Sequence, residues 1–418
     1  MSESNAQERG VTVLGAGIVG ICTALYLQRD GREVTLIDRD GPGEGTSFGN
    51  AGIIATGSVS PIGTPGVIKK APKMMLDPLA PLRVRWSYLP RIAPWLLRML
   101  RASTPARVEE ISKALGTLSG RALVDYEPLL EAAGAGHLIG RLGSLYVFTD
   151  AAEWRDAQAD IELRRRRGIE LEVLDPAEVK QMQPALRSDL GGAIFIPGAG
   201  HCLNPLGLSQ ALARHFVESG GRVLQEEAVA LEMGPEGPTH LRTNVGSHEI
   251  DDLVLTAGAF SRRFVRQSGS DLPLDTERGY HVHLPNPGIE VRLPMLLSGR
   301  GFAVTPMETG LRCAGTVEFG GLEAAPDYAR ADVILRQAKE LMPGLQDEGV
   351  ERWMGYRPSM PDSLPVISAS PRHRNLFFAF GHGHLGLTQA ASTGRLVADL
   401  VAGREPTIDV APYRADRF

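Results

Sequence analysis

Arg357 stands in the stretch MGYRPSMPDSLPVI, residues 354 to 367. Pro358 restricts the backbone beside it, so its planar guanidinium can be held ready for two-point contact with a carboxylate. The plainer role for such a residue is an ion pair that pins a loop. Further on, the strand-like run before Gly381 breaks at Gly381-His382-Gly383-His384 and resumes with helical spacing from about Leu385. A helix start carries unpaired N–H donors and a partial positive charge, suited to negative charge that develops during a reaction. The two histidines have no cysteine or carboxylate partner nearby, so no metal site is expected. His384 reads either as a pocket-lining group acting by shape and hydrogen bonding, or as a structural residue. No Ser-His-Asp or paired-carboxylate pattern is visible, and no dedicated catalytic base is expected.

The elements that would position these groups begin near the N-terminus. Val11 to Leu14 read as a short buried strand, Gly15-Ala16-Gly17-Ile18-Val19-Gly20 forms G-x-G-x-x-G, and Ile18 to Arg29 carries helical apolar spacing. A second strand, EVTLID, ends at Asp38 with Arg39 after it. This order suits a dinucleotide, with backbone N–H groups reaching the pyrophosphate and the acid taking the ribose hydroxyls. It does not choose between NAD and FAD. The long loop RDGPGEGTSFGNAGIIATG favours FAD, because Ser47, Asn50, Ala51 and Gly52 could wrap the phosphates and ring system. A surface loop is the alternative. Val229 is expected to meet adenine through its strand backbone, and Thr256, Ala257 and Gly258 to approach the cofactor without bulk. The turn Gly381, Gly383, His384, Leu385, Gly386, Leu387 and Thr388 would face the flavin's pyrimidine edge.

The chain has 418 residues with 43% hydrophobic and 22% charged content, an ordinary globular composition that fits two domains or one large interleaved unit. Its 44 basic against 49 acidic side chains leave a net charge of -5, which gives no general pull toward nucleic acid. Cys22, Cys202 and Cys313 are far apart, which argues against a disulfide framework and for a reducing cytoplasm. The start MSESNAQERG is polar rather than basic then apolar, so no secretory signal is expected.

One segment departs from this balance. Lys69, Lys70, Lys73, Arg83, Arg85, Arg91, Arg98, Arg101 and Arg107 are countered only by Asp77, Glu109 and Glu110. Leu89, Ile92, Ala93, Leu96, Leu97 and Leu100 recur at helical spacing, with Pro90 and Pro94 limiting where the helix begins. Residues 66–107, carrying Trp86, Tyr88 and Trp95, could touch an anionic membrane surface, which would make the protein peripheral to the inner face of the membrane. The plainer reading is a helix packed on its own core with a solvated basic face. Later stretches alternate helix and strand in a way that implies an FAD-binding domain from residues 10–57, 203–262 and 351–410, with a substrate domain from 58–202 and 263–350 inserted twice.

The glycine motif, TSFGNAG, LTAGAFS, GYRPSMPDSLPVI and FAFGHGHLGLT stand in the order found in the FAD-dependent D-amino-acid oxidase and glycine oxidase superfamily, which this chain resembles over nearly its whole length. Within it the sequence is most similar to D-amino-acid dehydrogenases and glyphosate oxidoreductase, through PGEGTSFGNAG, PLDTERGYH, GTVEF and MGYRPSMPDSLPVI. The resemblance implies an α/β fold: a Rossmann-like FAD-binding domain with an inserted mixed-sheet α+β substrate domain. It also implies that Arg357 clamps a substrate carboxylate, that Tyr280 walls the pocket, and that His384 stands where glycine oxidase has an arginine. The implied reaction is oxidation of the carbon-nitrogen bond of a small carboxylated amine by hydride transfer to flavin N5, giving an imine that hydrolyses. With no cysteine in residues 350–418, non-covalent FAD is expected. Oxygen, a quinone or a partner protein would reoxidise it. A 2-hydroxy-acid dehydrogenase, a flavin-binding subunit of a larger dehydrogenase and a flavin-dependent RNA-modifying enzyme are the rival readings.

Overall fold

A computed structural model describes residues 9–69 and 80–418. Lys70, Lys73 and Asp77 of the basic segment lie outside the described residues.

Short runs of Val, Leu and Ile bounded by glycine turns make strands that are covered on both faces, as a parallel sheet requires. Val11–Leu14 pairs in parallel with Val34–Asp38 on one side and Asp252–Leu255 on the other. Arg222–Gln225 and Leu376–Phe380 extend the sheet in parallel, and Val366–Ala369 closes one edge antiparallel. Three distant stretches of chain therefore build one sheet. Helix Ile18–Arg29 covers it together with Gly386–Val401. The two helices approach closely because position 394 is glycine: a Cβ there would lie 2.6 Å from the Cys22 carbonyl oxygen.

A larger mixed sheet runs in the order Glu351–Ser359, Asp275–Leu284, Gly310–Phe319, Phe302–Met307, Met295–Leu297, Ser144–Phe148, Gly192–Ile196, Glu172–Leu174, with Leu82–Val84 joining Gly310–Phe319. Helix Ala329–Leu341 buries Ile334, Ala338 and Leu341 against Val282, Phe302 and Cys313 of this sheet. The strand Glu351–Ser359, grouped with the nucleotide domain by its place in the sequence, belongs to this second sheet instead. It pairs over its whole length with Asp275–Leu284, which sets Arg357 opposite Glu277.

The basic segment forms helix Leu89–Ala102. Pro94 lies inside it rather than at its start, at the cost of one backbone hydrogen bond. Ile92 and Trp95 are buried with Val84 and Phe319, so one face packs on the second sheet. Cys22, Cys202 and Cys313 are buried free thiols.

Candidate active site

Between the two sheets lies a cavity of about 550 Å³, in the size range of cofactor pockets. Its floor is the first glycine turn. Gly15 has φ +117°, and a Cβ on it would lie 2.6 Å from the Thr256 carbonyl oxygen, so only glycine fits. Gly17, Ile18 and Val19 line the cavity, where the helix's first N–H groups lack intrahelical partners. The Ile18 N–H donates to Ser47 Oγ at 3.0 Å, which ties the long loop to the helix start. Ala16 and Gly20 do not face the cavity. Ala16 donates its N–H to Asp38 Oδ2 at 2.6 Å, and Gly20 lets the helix close onto the strand, since a Cβ would meet the Gly15 oxygen at 1.8 Å. Asp38 and Arg39 lie on the wall. Burial pushes the Asp38 pKa up, against N–H bonds from Asp40 and Ala16 that pull it down.

Thr256, Ala257 and Gly258 line the opposite side, and the Thr256 hydroxyl donates to the Leu14 and Gly15 carbonyls, both at 2.9 Å. The Val229 side chain points away from the cavity, 45% exposed, while its neighbours Glu226, Glu227 and Ala228 line the wall, so contact of Val229 with adenine falls to its backbone.

Asn50 and Ala51 of the long loop line the cavity, whereas Gly52 shapes it from behind: its φ is +78° and a Cβ would lie 2.7 Å from the Cys202 oxygen. The second sheet holds this loop by groups that sequence reasoning missed. Arg312 Nη1 donates to the Phe48 and Asn50 carbonyls, both at 2.9 Å. His281 stacks on Trp353 with centroids 5.1 Å apart and contacts the Gly49 oxygen through Nδ1 at 3.1 Å, which makes Nδ1 the protonated nitrogen. Burial, then the nearby Arg312 charge, lowers the His281 pKa to about 3, so the ring is neutral. The signal for these residues lay in the alternation of RGYHVHL and LRCAGTVEF, which marks faces but not what the faces touch.

Before the last helix, Gly383, His384, Leu385, Gly386 and Leu387 line the cavity, and His382 joins them. His382 is a buried structural histidine bonded to Thr393 Oγ1 at 2.9 Å. Gly381 supplies a turn at φ +87° away from the cavity, where a Cβ would lie 2.6 Å from Met360. Thr388 accepts the Ala55 N–H at 3.0 Å and anchors the loop rather than lining the site. His384 lines the cavity and is exposed there. Desolvation by the protein around it, and then the Arg357 charge, lower its pKa to about 4. No cluster of metal-ligating groups occurs among the described residues.

Arg357 lies on the cavity wall. Its Nη1 donates to the Thr316 oxygen at 2.6 Å and its Nη2 to the Gly315 oxygen at 3.2 Å. Thr316 has φ +57°, where the pairing of Gly310–Phe319 slips by a bulge opposite Arg278 and Tyr280. The bulge interrupts the ladder there, leaving the Thr316 carbonyl to meet the guanidinium. Gly279 makes the room: a Cβ there would lie 2.2 Å from Arg357 Cζ. Burial lowers the Arg357 pKa, with Glu277 opposing. Tyr280 contributes to the wall but is 1% exposed, and its hydroxyl donates to Glu318 Oε2 at 2.5 Å while accepting the Asp327 N–H at 3.0 Å. Its hydroxyl is therefore tied into the Arg85–Glu318–Arg278 network.

The arrangement fits FAD: a glycine cradle that any Cβ would fill, an acid at the end of the second strand, a loop locked over the helix start, and a helix N-terminus at the far end. The FAD dependent oxidoreductase family matches residues 10–400. A D-amino-acid oxidase of Bradyrhizobium diazoefficiens is 39% identical over 417 residues, 98% of this chain and 99% of that one. A D-amino acid dehydrogenase of Agrobacterium fabrum is 31% identical over 98% of this chain and 99% of its own length. The solved glycine oxidase of Geobacillus kaustophilus has the same fold, with a TM-score of 0.73 at 22% identity, covering 98% of this chain and 99% of that one. On the glycine cradle, the two interlocked sheets and these matches, the chain belongs to the FAD-dependent oxidoreductases of the D-amino-acid oxidase type.

Proposed function

We propose that the protein oxidises the carbon-nitrogen bond of a small carboxylated amine, a D-amino acid, a glycine derivative or a glyphosate-like N-substituted glycine, to an imine that water hydrolyses. The observation that carries this reading is Arg357: a cation on the cavity wall, fixed by the Gly315 and Thr316 carbonyls and still able to offer its remaining N–H groups to a carboxylate. FAD bound across the glycine turn supplies the two-electron acceptor for hydride. The chain's own residues orient and enclose the substrate. Arg357 fixes the carboxylate, neutral His384 adds a hydrogen-bonding group beside it, and Phe302, Ala303 and Leu296 give that part of the cavity an apolar wall. The names of the D-amino-acid oxidase and dehydrogenase relatives support the same chemistry.

The test is anaerobic bleaching of the flavin by D-amino acids, glycine, sarcosine, iminodiacetate and glyphosate, set against the matching 2-hydroxy acids. Bleaching by amines and not by hydroxy acids is expected. The reverse pattern would replace this reading with a hydroxy-acid dehydrogenase.

For the electron acceptor, helix Leu89–Ala102 favours a quinone at a membrane surface. Trp86, Leu97 and Leu100 are exposed beside Arg91, Arg98 and Arg101. The helix's inner face reaches the active-site strands, with Trp95 Nε1 donating to the Ser359 oxygen at 3.3 Å and the Tyr88 hydroxyl to Asp275 at 2.9 Å. No helix among the described residues is long and apolar enough to cross a membrane. Flotation with anionic vesicles, lost when Leu97 and Leu100 become serine, would support this acceptor. Absence of the wild-type protein from the vesicle fraction at low salt would remove it.

A further inference from the structure

Glu277 is unusual among the carboxylates of this chain. It is 1% exposed, it lines the cavity, and neither carboxylate oxygen makes a well-formed hydrogen bond, the Ser359 hydroxyl being the side-chain donor beside it. A buried carboxylate so weakly partnered is costly and calls for a ligand. Its cross-strand partner is Arg357, so the two side chains leave neighbouring points on the same face of the sheet. They do not form an ion pair. Arg357 turns across Gly279 and is held by the Gly315 and Thr316 carbonyls instead. The wall thus presents a guanidinium and a carboxyl group side by side, the guanidinium turned away from the carboxyl by its bonds to the two carbonyls.

That pairing matches an α-amino acid, which carries a carboxylate and an ammonium on one carbon. We propose that Glu277 is the amine-binding half of the substrate site: it accepts the substrate's ammonium while Arg357 holds its carboxylate, and it takes the proton that must leave nitrogen before oxidation. The assignment rests on the function proposed above. In this step one N–H bond breaks with its electron pair kept on nitrogen, and an O–H bond forms on Glu277. The freed lone pair then assists departure of hydride from the adjacent carbon to the bound flavin. Glu277 returns the proton to solvent when product leaves. Arg357 across the strand pair and Asp275 and Ser359 near the strand end act on the carboxyl, and His384 lines the same cavity and feels the Arg357 charge. Burial raises the Glu277 pKa, and the Arg357 charge chiefly opposes it, favouring the carboxylate.

The variant Glu277→Gln keeps shape and removes the acceptor. Expected at pH 7 is a loss of about 100-fold in kcat/KM for carboxylated amines, in the range of general-base catalysis. Flavin content should hold, and the Kd of propionate, which has a carboxylate but no amine, should change by less than about twofold since Arg357 is untouched. The loss should shrink by about tenfold per pH unit as pH rises toward the substrate amine's own pKa, because the substrate then arrives deprotonated. A merely structural role would weaken propionate and amines alike, with a loss that pH does not alter, and either result overturns the assignment. If amines bleach wild-type and Glu277→Gln flavin at the same rate, the assignment of Glu277 alone fails. If no amine bleaches the wild-type flavin, the proposed function fails with it.

Discussion

Gly279 offers a way to move the Arg357 guanidinium without touching Arg357. In Gly279→Ala the new Cβ would lie 2.2 Å from Arg357 Cζ and Nη2 and 2.6 Å from Nε, whereas ordinary contact begins at 3.4 Å. The guanidinium must therefore withdraw by about 1.2 Å, which its flexible stem allows and its hydrogen bonds do not. The bonds to Gly315 and Thr316, at 3.2 and 2.6 Å, set its present orientation. Position 279 has no left-handed backbone to protect, so the alanine itself is unstrained. The cost falls on function. Loss of a well-aligned charge-assisted contact to a carboxylate is worth about 1.5–3 kcal/mol, or a rise of about 10- to 150-fold in KM. Steady-state kinetics with a carboxylated amine and with its decarboxylated analogue would separate the terms, because only the first uses the clamp. Flavin content should be unchanged, and stability should shift by no more than about 1 kcal/mol. An unchanged KM for the carboxylated amine, with the alanine verified in place, would refute the argument that this guanidinium pose is the carboxylate site.

Other perturbations test other parts of the site. Arg357→Ala should raise KM about 100-fold for carboxylated amines with flavin retained, and unchanged kinetics would remove the clamp. Gly15→Ala places a Cβ 2.6 Å from the Thr256 oxygen at φ +117°, so the protein should purify with little or no FAD; full flavin occupancy by absorbance would contradict the cradle. Arg312→Met leaves the Phe48 and Asn50 carbonyls without their donor and should cost about 3 kcal/mol of stability together with faster flavin loss on dilution, read by thermal melts and flavin fluorescence. His281 and His382, each with a folded pKa near 3 against an ordinary 6.5, bind protons far more readily unfolded. Their contribution is complete above pH 6.5, and stability falls below it by about 1.4 kcal/mol per ring per pH unit. A melting temperature flat from pH 7 to 5 would count against two neutral buried rings.

The nucleotide half of the molecule was legible because its chemistry is backbone chemistry. Gly15 and Gly17 mark where the chain must bend or be approached, and such demands leave their trace in residue type. Asp38 and the turn at Gly383 were readable for the same reason. Ala228, which lines the cavity beside Val229, was not singled out because a strand alternates: a shift of one residue moves a side chain from wall to solvent, and nothing local sets that register. Tyr280 was placed in the pocket by likeness to relatives, yet its hydroxyl is claimed by Glu318 and the Asp327 N–H, partners 38 and 47 residues away. Glu277 and Arg312 were passed over because a charged residue inside a strand reads as solvent-facing. Only the pairing of Asp275–Leu284 with Glu351–Ser359 and Gly310–Phe319 shows that both are covered.

That same strand pairing joins the two jobs of the site. His281 faces Trp353 four residues along from where Glu277 faces Arg357, a separation of about 13 Å along an extended strand. The first pair grips the loop that closes over the cofactor, through the Gly49 oxygen and the Trp353 ring against which Gly49 packs. The second pair carries the charges offered to the substrate. Because both pairs sit on one hydrogen-bonded ladder, the distance from loop to clamp is set by covalent geometry and register rather than by a hinge. A side chain swapped at one pair should leave the other in place, so flavin affinity and substrate KM are separable by mutation. A one-residue slip between the two strands would turn the two groups of the slipped strand away from the two they face; the pairing of Asp275–Leu284 with Glu351–Ser359 runs without such a shift, and the bulge lies in the pairing with Gly310–Phe319 near Thr316.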